Sequence, residues 1–164
     1  MTRRLAFLDT ETTGLDRVRH QVWEVAYAID DGPIVTLQLP HDLDHADPAA
    51  LEINGYADRV GTVTLGWRQQ LLADLDDVIL VGSNPGFDQA MLSKALDAEP
   101  WHYRCIDAPA GVMWLLDWDE PRGLLSAARE MRGRGHTIPM PDHTAAGDVA
   151  TTRAVYRAVR GEHR

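Results

Sequence analysis

Hydrophobic and polar positions change period repeatedly along the chain, and each change marks an element. Leu5 to Asp9 is a short apolar run ending in an acid, the pattern of a buried strand. Gln21 to Ile29 predicts a second strand, with Val22, Val25, Ala26 and Ile29 apolar. Asp31-Gly32 is a hairpin dipeptide, and Ile34 to Leu39 alternates as a third strand. Pro33 and Pro40 put that strand at the edge of the sheet, where a missing N–H costs nothing. Asp47-Pro48 opens a helix to about Asn54, with Asp47 as cap and Pro48 at the first helical position. Gly55 suits its end. Thr64 to Leu75 has helical period through Leu65, Leu71, Leu72 and Leu75. Val78 to Val81 reads as a buried central strand. Asn84-Pro85-Gly86 starts a helix through Leu96, with Phe87, Met91, Leu92 and Ala95 on one face. Tyr103 to Ile106 is a further strand, and Asp107 to Leu116 and Leu124 to Arg132 are helical. Gly133 to His143 is a loop broken by Pro139 and Pro141. The last helix spans Thr144 to about Arg160, with Val149, Tyr156 and Val159 in register.

Strands joined by a hairpin pair antiparallel, and strands reached through helices pair parallel. The order therefore predicts an α/β fold: a mixed sheet, antiparallel in its first three strands and parallel later, flanked by helices. No linker or internal repeat divides the 164 residues, so residues 1–164 are expected to form a single domain.

Composition narrows the function. No apolar run approaches the roughly 20 residues needed to span a bilayer. Met1-Thr2-Arg3-Arg4 precedes too short an apolar stretch for a signal peptide, so the expected location is cytoplasmic, with no membrane partner. A single cysteine, Cys105, excludes an internal disulfide and a cysteine-based zinc site, and reads as a buried small apolar side chain. The net charge of −9 argues against a broad basic surface for nucleic acid. It leaves room for a nucleic-acid enzyme whose acids surround cations, since bound ions reverse the local field. The basic residues are fifteen arginines and one lysine, Lys94, and arginine suits phosphate contact.

The candidate chemistry is acidic. Asp9 and Glu11, two apart on a strand, project from the same face. A solvated strand end is the plainer reading of that spacing, and a divalent-metal site the sharper one. Thr12-Thr13-Gly14 then turns the chain with small residues that admit a close approach to the backbone. Asp88 falls in the first turn of a helix, where the macrodipole favours an acid with or without a ligand, at the edge of the buried stripe. Asp148 lies on the last helix and His143 on the loop before it, an arrangement suited to a general base beside a carboxylate. His20, His41, His45, His102, His136 and His163 read as surface histidines.

Taken together, Phe7-Leu8-Asp9-Thr10-Glu11-Thr12-Thr13-Gly14, the stretch GSNPGFDQAML at 82–92 and the stretch HTAAGDVATT at 143–152 resemble the three exonuclease motifs of the DnaQ-like family, in order and spacing. The histidine five residues before the last acid is similar to the DEDDh branch. The resemblance covers essentially the whole chain. It implies a ribonuclease H-like fold and 3′-to-5′ release of nucleoside 5′-monophosphates. It implies Asp9, Glu11, Asp88 and Asp148 as ligands of two Mg²⁺ or Mn²⁺ ions, and His143 as general base. It also implies that the backbone at Thr12 and Thr13 lies near the terminal sugar, with Leu15 and Phe87 against the terminal bases; from the residues alone both would be core. Where proofreading members carry a histidine before glycine, Asn54 precedes Gly55, and Asn54 is a candidate contact that cannot become charged.

Hard oxygen ligands select Mg²⁺ or Mn²⁺. Two such ions about 4 Å apart serve both ends of a phosphodiester displacement. A base at His143 is worth about 10²–10⁴ in rate. The expected substrate is single-stranded DNA or a frayed 3′ end, since Thr12-Thr13-Gly14 resembles the DNA-proofreading pattern more than that of the oligoribonucleases. An RNA-trimming exoribonuclease is the rival enzyme. A catalytically inactive nucleic-acid-binding or assembly module is the rival from another class. Of the tryptophans, Trp23 is expected in the core and Trp118, between Asp117 and Asp119, at the surface. The sequence does not name a polymerase partner, and with so little chain after the last helix the expectation is a free-standing nuclease, a subunit that docks on a polymerase through its body being the alternative.

Overall fold

A computed structural model describes residues 2–161. A five-stranded mixed sheet has the order β3-β2-β1-β4-β5. β1 (Leu5–Thr12) and β2 (Val22–Ile29) pair antiparallel, as do β2 and β3 (Val35–Gln38). β4 (Ile79–Gly82) and β5 (Cys105–Asp107) run parallel to β1 on its other side. The expected topology is the one found, with the proline-flanked third strand at the edge.

Alternation along the strands divides the core in two. Ala6, Leu8, Val25, Tyr27 and Leu80 pack on one side with α3 (Trp67–Asp74) and α4 (Pro85–Leu96). Phe7, Ala26, Ala28 and Val81 pack on the other with α5 (Ala108–Leu116), α6 (Leu124–Gly133) and α7 (Ala145–Val159). Alanine at positions 26 and 28 leaves shallow ground on which the backbone of α7 lies close to the sheet. Two short helices, α1 (Pro48–Ile53) and α2 (Tyr56–Arg59), close over the end of β1. Capping follows the sequence: Asp47 accepts from Ala49, Asp107 from Ala110 and Thr144 from Gly147.

Several local expectations change. β1 continues past Asp9 to Thr12, because hydrogen bonds to β2 persist through the two acids. Helix α3 starts only at Trp67: Gly66 takes a left-handed conformation, and Leu65 is 100% exposed, outside the apolar stripe. On α4 the inward residue is Leu96, whereas Ala95 faces solvent. Gly55 ends α1 as expected, in a left-handed conformation, but leads straight into a further short helix, α2. In the first hairpin Asp30, not Gly32, adopts positive φ, and its carboxylate accepts from the N–H of Leu5. Cys105 is exposed on the edge strand, not buried. Trp23 is buried as expected, but Trp118 is half-buried under the Arg122 guanidinium. Among the histidines, His45 is exposed, His20, His41, His102 and His136 are half-buried, and His163 lies outside the described residues. His41 is clasped between the Leu39 carbonyl and the Tyr56 hydroxyl. No described helix is long and apolar enough to cross a membrane.

Candidate active site

The end of β1 is where strand alternation and helix packing bring acids together. Phe7 belongs to the α7 side of the sheet, so Asp9 and Glu11 face that side too. In register, Asp9 lies opposite Ala26, and Glu11 lies opposite Glu24. Two carboxylates directly across an antiparallel pair repel. A register shift follows at Glu11/Thr12, the kind of irregularity that re-aims side chains at a strand end.

α7 delivers Asp148 in its first turn, and the preceding loop delivers His143. Asp142 shapes that loop: its carboxylate accepts from the Thr144 N–H and hydroxyl, and its own N–H donates to Asp148 Oδ1 at 3.2 Å. Gly147 is needed there, because a Cβ would stand 2.0 Å from Asp142 Oδ1. His143 is exposed and sits at φ 59°, a left-handed conformation costly for a residue other than glycine.

Asp88 arrives from the other side of the sheet. Gly82 lets β4 pass close to the Leu8 carbonyl and Pro85, so α4 begins against the end of β1. Asn84 turns left-handedly into the helix. Asp88 is 4% exposed, and its Oδ1 accepts from the Thr10 N–H at 3.1 Å and hydroxyl at 2.7 Å.

The electrostatics show that these acids share one neighbourhood. Asp9 is held well above the ordinary carboxylate range by burial first, then by the charges of Asp88, Asp148, Glu11 and Glu24. Burial pushes Glu11 up to about 7 against the pull of Arg59. Burial also lifts Asp88 to about 7 despite its bonds from Thr10. Asp148 is raised by burial and eased by the Asp142 N–H and by His143. Glu24 is raised by burial, opposed by Arg59, Gln38 and the Ala145 N–H at the start of α7. Among the described residues, no group of three or more histidine, cysteine or carboxylate side chains is gathered closely enough to hold a metal ion; the acids interact through their charges. The donor set is wholly carboxylate oxygen, which fits hard divalent cations in type.

Sequence reading missed two members of this site. Glu24 is hidden in an apolar strand, and only the cross-strand register puts it beside Glu11. Arg59 lies on α2, a helix not foreseen. Its guanidinium pairs with Glu24, stands 3.6 Å from Glu11, donates to the Asn54 carbonyl at 2.6 Å, and lies over the Trp23 ring.

Beside the acids is a cleft of about 260 Å³, lined by Glu11, Thr12, Leu15, Ile53, Asn54 and Phe87 among others. Leu15 is 78% exposed there, not core, and Phe87 is half-buried against the apolar layer. Asn54 is buried; its Nδ2 donates to the Thr12 carbonyl at 3.0 Å, and its Oδ1 has no partner. Thr13 does not line the cleft: it is buried, its N–H donates to the Gln21 carbonyl, and its hydroxyl accepts from the Gln21 N–H.

This architecture is ribonuclease H-like, as the motif resemblance implied. Among solved structures, it is similar to E. coli Exonuclease I in complex with a 5cy-dT13 oligonucleotide, with a TM-score of 0.71 and 17% sequence identity. The match covers 98% of this chain and 41% of that one, so the chain spans less than half the length of that protein. At that identity the likeness is one of fold. No family model and no curated protein matches the sequence.

Proposed function

We propose that the protein is a 3′–5′ exonuclease of the DnaQ-like type, in its DEDDh branch, acting on single-stranded DNA or frayed 3′ ends. The observation that carries this reading is the convergence of Asp9, Glu11, Asp88 and Asp148 from β1, α4 and α7, with His143 on the loop leading to Asp148. The fold's similarity to a nuclease structure solved with an oligonucleotide supports it.

Asp9, Glu11, Asp88 and Asp148 would hold the divalent cations. When bound, such ions supply activation of water and stabilisation of the departing 3′ oxygen. The chain's own residues do the rest. His143, exposed on its loop, takes the proton from the attacking water. Thr10 holds the Asp88 carboxylate at a fixed angle through two bonds to one oxygen. Leu15 and Phe87 offer apolar surface to the terminal bases, which single strands leave open. Asn54 borders the cleft with its Oδ1 buried and lacking any protein donor, and a small turn of the side chain would offer that acceptor to a hydroxyl of the terminal sugar. Where proofreading relatives carry histidine, Asn54 does this without charge.

Incubating the protein with 5′-labelled single-stranded DNA and matched RNA, with Mg²⁺ or Mn²⁺ and then with chelator, tests the reading. A ladder shortening from the 3′ end of DNA, abolished by chelator, is expected. Faster trimming of RNA would make the protein an exoribonuclease. Binding without cleavage in every metal condition would make it an inactive module.

A further inference from the structure

We propose that Arg59 is a positioning residue for His143: its guanidinium fixes the loop that carries the base against the acid-bearing strands. The inference rests on the functional reading above for its catalytic consequence, but on geometry alone for the linkage.

Arg59 joins four segments. Nη2 pairs with Glu24 on β2, and Nη1 stands 3.6 Å from Glu11 on β1. Nη1 also donates to the Asn54 carbonyl at 2.6 Å and to the His143 carbonyl at 3.1 Å. The Trp23 ring, with its centroid 5.2 Å from Cζ, supports the guanidinium from beneath. The planar fork of arginine reaches Glu24 from one nitrogen and the two carbonyls from the other, a spread that the single nitrogen of lysine does not span. The side chain is 22% exposed, so these contacts are sheltered from water.

The need for such a clamp is visible in the backbone. His143 is left-handed at φ 59°, and a residue other than glycine stays there only when its surroundings over-determine it. Asp142 holds the loop from the α7 side through Thr144 and Asp148. Arg59 holds it from the sheet side through the His143 carbonyl itself. With Arg59 gone, the imidazole keeps its chemistry but loses its fixed distance to the acids. Small misplacements of a catalytic group cost up to about a hundredfold in rate.

Removing Arg59 alone would leave Glu24 buried and unpaired, so the test uses Arg59→Ala with Glu24→Gln, against Glu24→Gln as reference. The expected result is a kcat about 10–100-fold lower with KM within about threefold, the signature of lost positioning rather than lost binding. Arg59→Lys should recover little, and guanidinium ion added to the alanine variant should recover part. In a His143→Ala background the Arg59 change should cost less than about twofold, because the two residues act as one unit. An equal loss in that background, or an unchanged kcat, overturns the proposal. Amide hydrogen exchange separates this from the functional reading. Residues 142–144 should exchange at least about tenfold faster in the double variant than in Glu24→Gln, whether or not the protein is a nuclease. Unchanged exchange there would refute the linkage itself. A wild-type protein with no nuclease activity would instead refute the functional reading and leave exchange to decide the clamp.

Discussion

Replacing Asp88 with asparagine should stabilise the metal-free protein, and increasingly so as pH rises. Asp88 is buried, and Thr10 donates twice to its Oδ1. An amide oxygen can keep both bonds. What the substitution removes is a charge that burial opposes, shown by ionisation near 7 instead of the ordinary 3.8. Between those values the folded state holds a proton that the unfolded state has lost. Stability therefore falls as pH rises through that window, and the penalty is complete above about 7. At about 1.4 kcal/mol per pH unit, the full cost is about 4 kcal/mol at pH 8 and about 2 kcal/mol at pH 5. These are upper limits, because Asp9 shares the repulsion with Asp88. Urea unfolding of both proteins in chelator at pH 5, 6.5 and 8 reads the difference directly. The variant's advantage should grow with pH, and saturating Mn²⁺ should narrow it by stabilising only the wild type, by about 2.7 kcal/mol at a hundredfold excess over Kd. Equal unfolding midpoints at pH 8, or an advantage independent of pH, would refute the argument that burial of this charge is what the site tolerates.

Other substitutions probe separate parts of the site. Asp9→Ala or Asp148→Ala should nearly abolish nucleotide release while far-ultraviolet circular dichroism stays native, and His143→Ala should cut kcat by about 10²–10⁴ while oligonucleotide binding persists. Asn54→Ala should lose about 1 kcal/mol of discrimination between 3′-hydroxyl and 3′-deoxy ends, read as a ratio of kcat/KM values. Gly147→Ala should destabilise by about 1–3 kcal/mol in thermal unfolding, since its methyl must displace the Asp142 carboxylate that caps the turn before α7.

The fold was legible because its signals were local. Apolar runs bounded by turn residues marked β1, β2 and β4, and the edge position of β3 could be read from Pro33 and Pro40. Capping residues placed the starts of α1, α5 and α7 closely. Leu65 misled because apolar spacing cannot tell a helix from the turn leading into it; Gly66 was the breaker. Ala95 misled for a related reason, a small side chain being equally at home on either face of α4. The four acids and His143 stood out as motif residues, yet their convergence depends on strands and helices far apart in sequence. Glu24 and Arg59 left no trace of their own. One is an acid in an apolar strand, the other an arginine among fifteen, and only the pairing of β1 with β2 and the folding back of α2 unite them.

Locating the cations tests the central claim most directly. Crystals grown with Mn²⁺ and a nucleoside 5′-monophosphate should show two anomalous scattering peaks about 4 Å apart, within bonding distance of Asp9, Glu11, Asp88 and Asp148. Mn²⁺ bound elsewhere, or none at these carboxylates in crystals that cleave DNA, would contradict it.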